Sequence, residues 1–137
     1  MSATVIADPN ARIAQINPEH YSHFIEHLGD CIYDGIWVGP SPPVEHTDGI
    51  RQFTLDALRG VGPAVMRWPG GCFADQYHWR DGIGDPESRP TTRNIFWGGI
   101  EPNRFGTHEF ADFCQKIQAI PYICGNVGTG SPQEMME

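Results

Sequence analysis

TDGIRQFTLDALRGVGPAVMRW, from Thr47 to Trp68, holds a helix followed at once by a strand. Ile50, Phe53, Leu55 and Leu58 recur at helical spacing behind Thr47 and Asp48, two side chains able to cap a helix, and Gly60 and Gly62 stop it. Ala64 to Trp68 then reads as a strand. A second stretch, THEFADFCQKIQAIPYIC from Thr107 to Cys124, repeats the plan. Thr107 is placed to cap a helix through His108, Phe110, Phe113, Cys114 and Ile117, and Pro121 to Cys124 reads as a buried strand. Helical crossovers return a chain in the same direction, so the pattern predicts an α/β protein with parallel strands. Both a barrel and a doubly wound sheet produce it.

Outward from these units, Val5, Ile6, Ile13 and Ile16 flank Asp8, Pro9 and Asn10, a turn signal that predicts a small hairpin or edge strand. Ile36 to Thr47 reads as an ordered Pro/Gly loop, and Pro69 to Gly106 as one large loop following a strand. Gly125 to Gly130 forms a turn, after which Ser131, Pro132 and Gln133 to Glu137 read as an N-cap, a first-turn proline and the opening of a helix. A complete (β/α)8 barrel needs about 250 residues. As a barrel, this chain is therefore expected to be incomplete, with an unpaired strand edge and exposed apolar faces that favour association or partial unfolding.

The chain has 137 residues, 39% hydrophobic and 11% aromatic, which is material for one compact domain rather than a disordered segment. Nine basic residues against seventeen acidic ones give a net charge of -8, disfavouring nucleic acid and anionic membranes as partners. No apolar run approaches the ~18 residues of a membrane span, and MSATVIADPNARIAQI lacks the basic start and apolar core of a secretion signal. Both point to a soluble cytoplasmic protein. Cys31, Cys72, Cys114 and Cys124 form no CxxC pair and are expected to be free thiols.

Chemistry concentrates in RWPGGCFADQYHWRDGIG, Arg67 to Gly84, where a strand ends in charge, aromatic rings and two glycines. Arg67 offers a fixed plane of donors for a hydroxylated ligand or a neighbouring carboxylate, or else a structural ion pair with Asp75 or Asp81. Phe73, Tyr77, Trp79, Phe96, Trp97 and Phe105 supply rings that either stack on sugars or pack beneath the loops. Trp97, between Phe96 and Gly98, is the preferred exposed ring. HFIEH, His23 to His27, matches the HxxEH pattern of zinc peptidases; its rival reading is two ordinary hydrogen-bonding histidines around Glu26. Glu26, Asp75, Asp81, Glu101 and Glu109 are carboxylates of the type a glycosidase pairs, about 5 to 5.5 Å apart when it retains configuration.

Read together, HFIEHLGDCIYDGIWVG, MRWPGGCFADQYHWRDGIG, WGGIEPNRFGTHEF and PYICGNVGTGSPQEMME resemble the N-terminal half of the catalytic domain of family 51 α-L-arabinofuranosidases, over about Ile13 to Glu137. The resemblance implies that residues 1–137 are the N-terminal portion of a (β/α)8 TIM barrel, roughly its first three strands, with residues 1–17 set to pair with a β-sandwich outside this chain. It implies exo-acting removal of terminal α-L-arabinofuranosyl groups by retaining double displacement, without metal or other cofactor, in a homo-oligomer. Both catalytic glutamates are expected downstream, so none is assigned here and residues 1–137 alone are expected to be inactive. Glu26 resembles the residue that binds sugar hydroxyls, Arg67 the strand-end arginine beside the nucleophile, and Cys72 a pocket-lining thiol. Trp97 resembles the aromatic residue flanking the leaving group, and Asn126 lies at the end of the third strand. A stand-alone carbohydrate-binding module that uses the aromatic loops without catalysis is the competing reading, ahead of the zinc peptidase.

Overall fold

The computed structural model describes residues 2–137. Its elements, in chain order, are β1 (His23–Phe24), β2 (His46–Thr47), β3 (Ile50–Arg51), α1 (Gln52–Val61), β4 (Val65–Trp68), β5 (Thr92–Arg93), β6 (Ile100–Glu101), α2 (Thr107–Ile117), β7 (Ile120–Ile123) and α3 (Pro132–Met136). Strands β1, β4 and β7 form one parallel sheet in that order, with Phe24 opposite Arg67 and Arg67 opposite Tyr122. The chain is thus α/β, with α1 leading into β4 and α2 into β7, as the two sequence units predict.

Strand alternation divides the sheet into two faces. Met66 and Trp68 point towards the helices and are fully buried with Leu55 of α1 and Phe110, Phe113, Cys114 and Ile117 of α2. The four α2 residues fall at positions i, i+3, i+4 and i+7 of one helical face, so a single stripe covers the sheet. The opposite face carries Phe24, Arg67, Ile120 and Tyr122; Phe24, Ile120 and Tyr122 are large apolar residues left exposed.

Element boundaries depart from expectation where a turn outcompetes a helix. Thr47 and Asp48 do not cap α1. Instead β2 and β3 pair through a tight turn at Asp48 and Gly49, both with positive φ, and the helix starts only at Gln52. Gly60 lies inside α1; Gly62 ends it in the left-handed conformation, donating its N–H to the Leu58 carbonyl. Thr107 is the first residue of α2 rather than its cap, and the Glu109 carboxylate accepts the Gly106 N–H at 2.8 Å. Ser131 does cap α3, accepting the Glu134 N–H, with Pro132 next.

The small hairpin or edge strand expected from Val5 to Ile16 does not form. A turn at Asp8–Ala11 is present, but no strand flanks it, and Val5, Ile6, Ile13 and Ile16 are exposed. An isolated two-stranded hairpin is marginal in water without a surface to cover. The stretch from Pro69 to Gly106 is more structured than a single loop. It holds three short 3-10 turns and the antiparallel hairpin β5–β6, and its base is clamped by Arg89, which donates to the Gly84 and Asn103 carbonyls and to Glu109.

Candidate functional site

The Phe24–Arg67 register and the continued ladder from Ile25 N–H to the Arg67 carbonyl place Glu26 two residues beyond Phe24, on the exposed sheet face beside Arg67. Glu26 is buried. One carboxylate oxygen accepts the N–H of Gly71 at 2.8 Å and of Phe73 at 3.2 Å, two amides of the chain that leaves β4; its other oxygen makes no hydrogen bond among the described residues. Gly70 makes this approach feasible, since a β-carbon there would lie 2.5 Å from Glu26 Cγ.

Arg67 is half-buried at the end of β4. Its guanidinium lies 4.7 Å from the Phe24 ring centroid, donates from Nε to Cys124 Sγ at 2.8 Å, and reaches the Gly70 carbonyl at 3.3 Å. The alternative of an ion pair with Asp75 or Asp81 is not realised. No carboxylate pairs with Arg67 among the described residues. A carboxylate with one committed oxygen therefore stands beside a cation without an anion, a pairing suited to hydroxyl groups and to an incoming carboxylate.

The geometry of HFIEH decides between its two readings. The segment is extended, so His23 and His27 share one side of the strand and Glu26 the other, unlike a helical HxxEH site. His27 is also buried: Nε2 accepts the Trp68 indole N–H at 3.0 Å, while Nδ1 lies 2.7 Å from Glu101 Oε2 without forming a well-aligned hydrogen bond. Glu101 also accepts the Asn103 N–H at 2.7 Å and the Tyr33 hydroxyl. Burial, then the Glu101 charge, pushes the Tyr33 phenol far up, so it remains a donor. Among the described residues no three His, Cys, Asp or Glu side chains are grouped to hold a metal.

Trp97 sits on the β5–β6 connection, half-exposed, next to the similarly exposed Phe96. Phe73, Tyr77 and Phe105, by contrast, are core residues, so the aromatic cluster divides between packing and surface. Asn94 fixes the turn: its Oδ1 accepts the Trp97 N–H at 3.0 Å and its Nδ2 donates to the His27 carbonyl at 2.8 Å. Cys72 opens the 3-10 turn Cys72–Gln76 and is exposed. Asn126, just past β7, is buried; its Oδ1 accepts the N–H groups of Gly128, Thr129 and Gly130, and its Nδ2 donates to the Thr129 hydroxyl. Its side chain thus shapes its own turn.

Two of the other candidate carboxylates have internal tasks. Glu101 is held in the His27–Tyr33 network and Glu109 by Arg89. A cleft of about 380 Å³ is lined by Trp68, Trp79, Ile123, Cys124, Asn126 and Met135; Trp68 and Ile123 belong to the helix-covered face of the sheet, whereas Cys124 also meets Arg67. Sequence reasoning missed Asn94 and the contact of Glu101 with His27. An asparagine three residues before Trp97 and ahead of Gly98–Gly99 is an Asx-turn signal that could have been read. The Glu101–His27 contact joins distant segments and leaves no local trace.

Fold and site define an α/β domain with a polar, aromatic-rimmed surface at the C-terminal ends of parallel strands, where such scaffolds build their sites. Residues 57–137 match the family model of the α-L-arabinofuranosidase 1 domain. The chain is 50% identical over 133 residues to an intracellular exo-α-L-arabinofuranosidase of Bacteroides ovatus, covering 96% of this chain and 26% of that protein. It is 43% identical over 128 residues to α-L-arabinofuranosidase C of Emericella nidulans, covering 93% and 25%. The crystal structure of the family 51 arabinofuranosidase from Xanthomonas axonopodis pv. citri superposes with a TM-score of 0.90 at 47% identity, over 93% of this chain and 26% of that one. The chain belongs to the family 51 α-L-arabinofuranosidases, and it spans about a quarter of the length of the relatives it matches.

Proposed function

We propose that residues 1–137 form the first three strands of the (β/α)8 catalytic barrel of an exo-acting, retaining α-L-arabinofuranosidase, with residues 1–17 meeting a β-sandwich outside this segment. The observation that carries this reading is the juxtaposition of Glu26 and Arg67 on the exposed sheet face: Glu26 keeps one oxygen free for sugar hydroxyls, and Arg67 has no carboxylate of its own. In a closed barrel that face is the interior, and the strand ends are the catalytic rim.

In this reading the free Glu26 oxygen accepts hydroxyl protons of the terminal arabinofuranosyl ring, held in place by the Gly71 and Phe73 amides. Arg67 orients the ionised nucleophile, a glutamate supplied by a later strand, while Cys72 lines the ring and Trp97 faces the leaving group. Asn126 contributes by holding the turn after β7. Double displacement then runs through a covalent arabinosyl-enzyme between the two downstream glutamates. The substrates are arabinofuranosyl-bearing polysaccharides and oligosaccharides; no cofactor, nucleic acid or membrane enters. An intracellular, homo-oligomeric enzyme is the corresponding setting, supported by the name of the Bacteroides ovatus relative for location alone. Among the described residues no helix is long and apolar enough to cross a membrane.

The test is hydrolysis of p-nitrophenyl α-L-arabinofuranoside by the complete protein, with the anomer released first read by NMR. Retention supports the reading; inversion, or inertness towards arabinofuranosides, contradicts it.

A further inference from the structure

We propose that Asn94 and Glu101 are positioning residues that lock the Trp97 hairpin onto His27, fixing the leaving-group wall of the pocket relative to Glu26. The inference rests on the arabinofuranosidase reading of Glu26 and Trp97, and adds what holds the two walls in register.

Packing alone does not place Trp97. The ring and its neighbours Ile95 and Phe96 are 44% to 66% exposed, and the hairpin has only two residues in each strand, too short to hold itself. Its anchors are polar and buried. Asn94, 6% exposed, joins the Trp97 N–H to the His27 carbonyl through one amide group. Glu101, 2% exposed, ends the other strand of the hairpin and meets the ring of the same histidine through Nδ1. Gln76 adds a more exposed tether, accepting the Ile95 N–H and donating to the Arg93 carbonyl.

His27 is itself fixed by the strand ends. Its N–H donates to the Pro69 carbonyl and its Nε2 accepts the Trp68 indole, so it cannot shift without disturbing the chain that holds Glu26. It is also the residue directly after Glu26. The hairpin and the sugar-binding carboxylate therefore share one mount, and a leaving group held by Trp97 is presented at a set offset from the ring held by Glu26. Loosening the hairpin's attachment to that mount degrades recognition of the leaving side while the arabinose side, held by the strand ends, stays intact, since positioning at the ångström level governs productive binding.

The experiment is steady-state kinetics of the complete protein on methyl α-L-arabinofuranoside and on an arabino-oligosaccharide. The variants are Asn94→Ala, Glu101→Gln, Trp97→Ala and the Asn94→Ala/Trp97→Ala double. Asn94→Ala and Glu101→Gln are each expected to raise KM for the oligosaccharide about tenfold, with kcat and both constants for the methyl glycoside within about twofold of wild type, and Trp97→Ala to raise that KM at least as much. The double variant should match Trp97→Ala, because Asn94 acts through that ring. Equal loss on both substrates, or additive losses in the double variant, would overturn the proposal. Asn94→Ser, which retains an acceptor for the Trp97 N–H, replaces Asn94→Ala if the latter fails to accumulate, with the same comparison and a smaller expected KM change. A wild-type protein inert towards both glycosides would instead remove the arabinofuranosidase reading on which the proposal stands.

Discussion

Arg89 and Glu109 are joined by two hydrogen bonds of 2.9 Å, one from each terminal nitrogen of the guanidinium to each carboxylate oxygen. The Arg89 side chain is buried at 2% exposure and that of Glu109 is partly exposed at 14%, and the pair ties the loop after β4 to the first turn of α2. Removing Arg89 strands the Glu109 carboxylate in a partly buried site, at a cost of about 1–3 kcal/mol. Arg89→Ala is therefore expected to lower the stability of the complete protein by that order in denaturant unfolding. A change below about 1 kcal/mol would mean that the clamp is dispensable.

The same pair sets an acid limit. Burial raises the Glu109 carboxyl, but hydrogen bonds from Arg89 and the Gly106 N–H more than offset it, and the folded value lies below the ordinary one. A depressed folded value contributes stability that is complete above the unfolded value, about 4.3, and is lost as pH falls through the folded one. Glu109→Gln lacks this titration. The gap in Tm between wild type and Glu109→Gln should thus be widest near neutrality and shrink on acidification below about pH 4. A gap independent of pH would contradict the assignment.

Gly70→Ala tests the seat of Glu26. The added methyl would meet Glu26 Cγ at 2.5 Å and Oε1 at 2.7 Å, so the carboxylate must move away from the Gly71 and Phe73 amides. We expect kcat/KM on aryl arabinofuranosides to fall at least about a hundredfold, in line with about 3 kcal/mol of lost transition-state interaction. Retained activity would place Glu26 outside the sugar site.

Thiol accessibility separates the cysteines. Cys114 is buried on the sheet-facing side of α2, and burial pushes its thiol up to about 12, whereas Cys31 and Cys72 are exposed. Iodoacetamide should modify Cys72 while Cys114 resists until the protein unfolds, and L-arabinose should protect Cys72 selectively. Labelling of Cys72 unchanged by saturating arabinose would remove it from the pocket.

Much of the architecture is legible in the sequence because it is written in local periodicity. The α2 stripe from Phe110 to Ile117, the Ser131–Pro132 helix start and the β4 and β7 strands follow from spacing and end signals alone, but β7, expected to be buried, is exposed because it forms the edge of the sheet. The start of α1 is not legible, because the Asp48–Gly49 turn joins His46–Thr47 to Ile50–Arg51 in a hairpin where capping chemistry predicts a helix. At the site, Glu26 and Arg67 share one sheet face through strand register, which motif spacing does not contain, and family resemblance supplies their significance. HFIEH illustrates the limit: the same five residues fit a helical metal motif or a strand end, and only the pairing of β1 with β4 distinguishes them.

The most direct test of the central claim is kcat/KM on p-nitrophenyl α-L-arabinofuranoside for the complete protein, its Glu26→Ala variant and its Arg67→Ala variant. The account predicts clear turnover by wild type and losses of at least about a hundredfold in both variants, with their Tm within a few degrees of wild type. Wild-type activity left intact by both substitutions would contradict it.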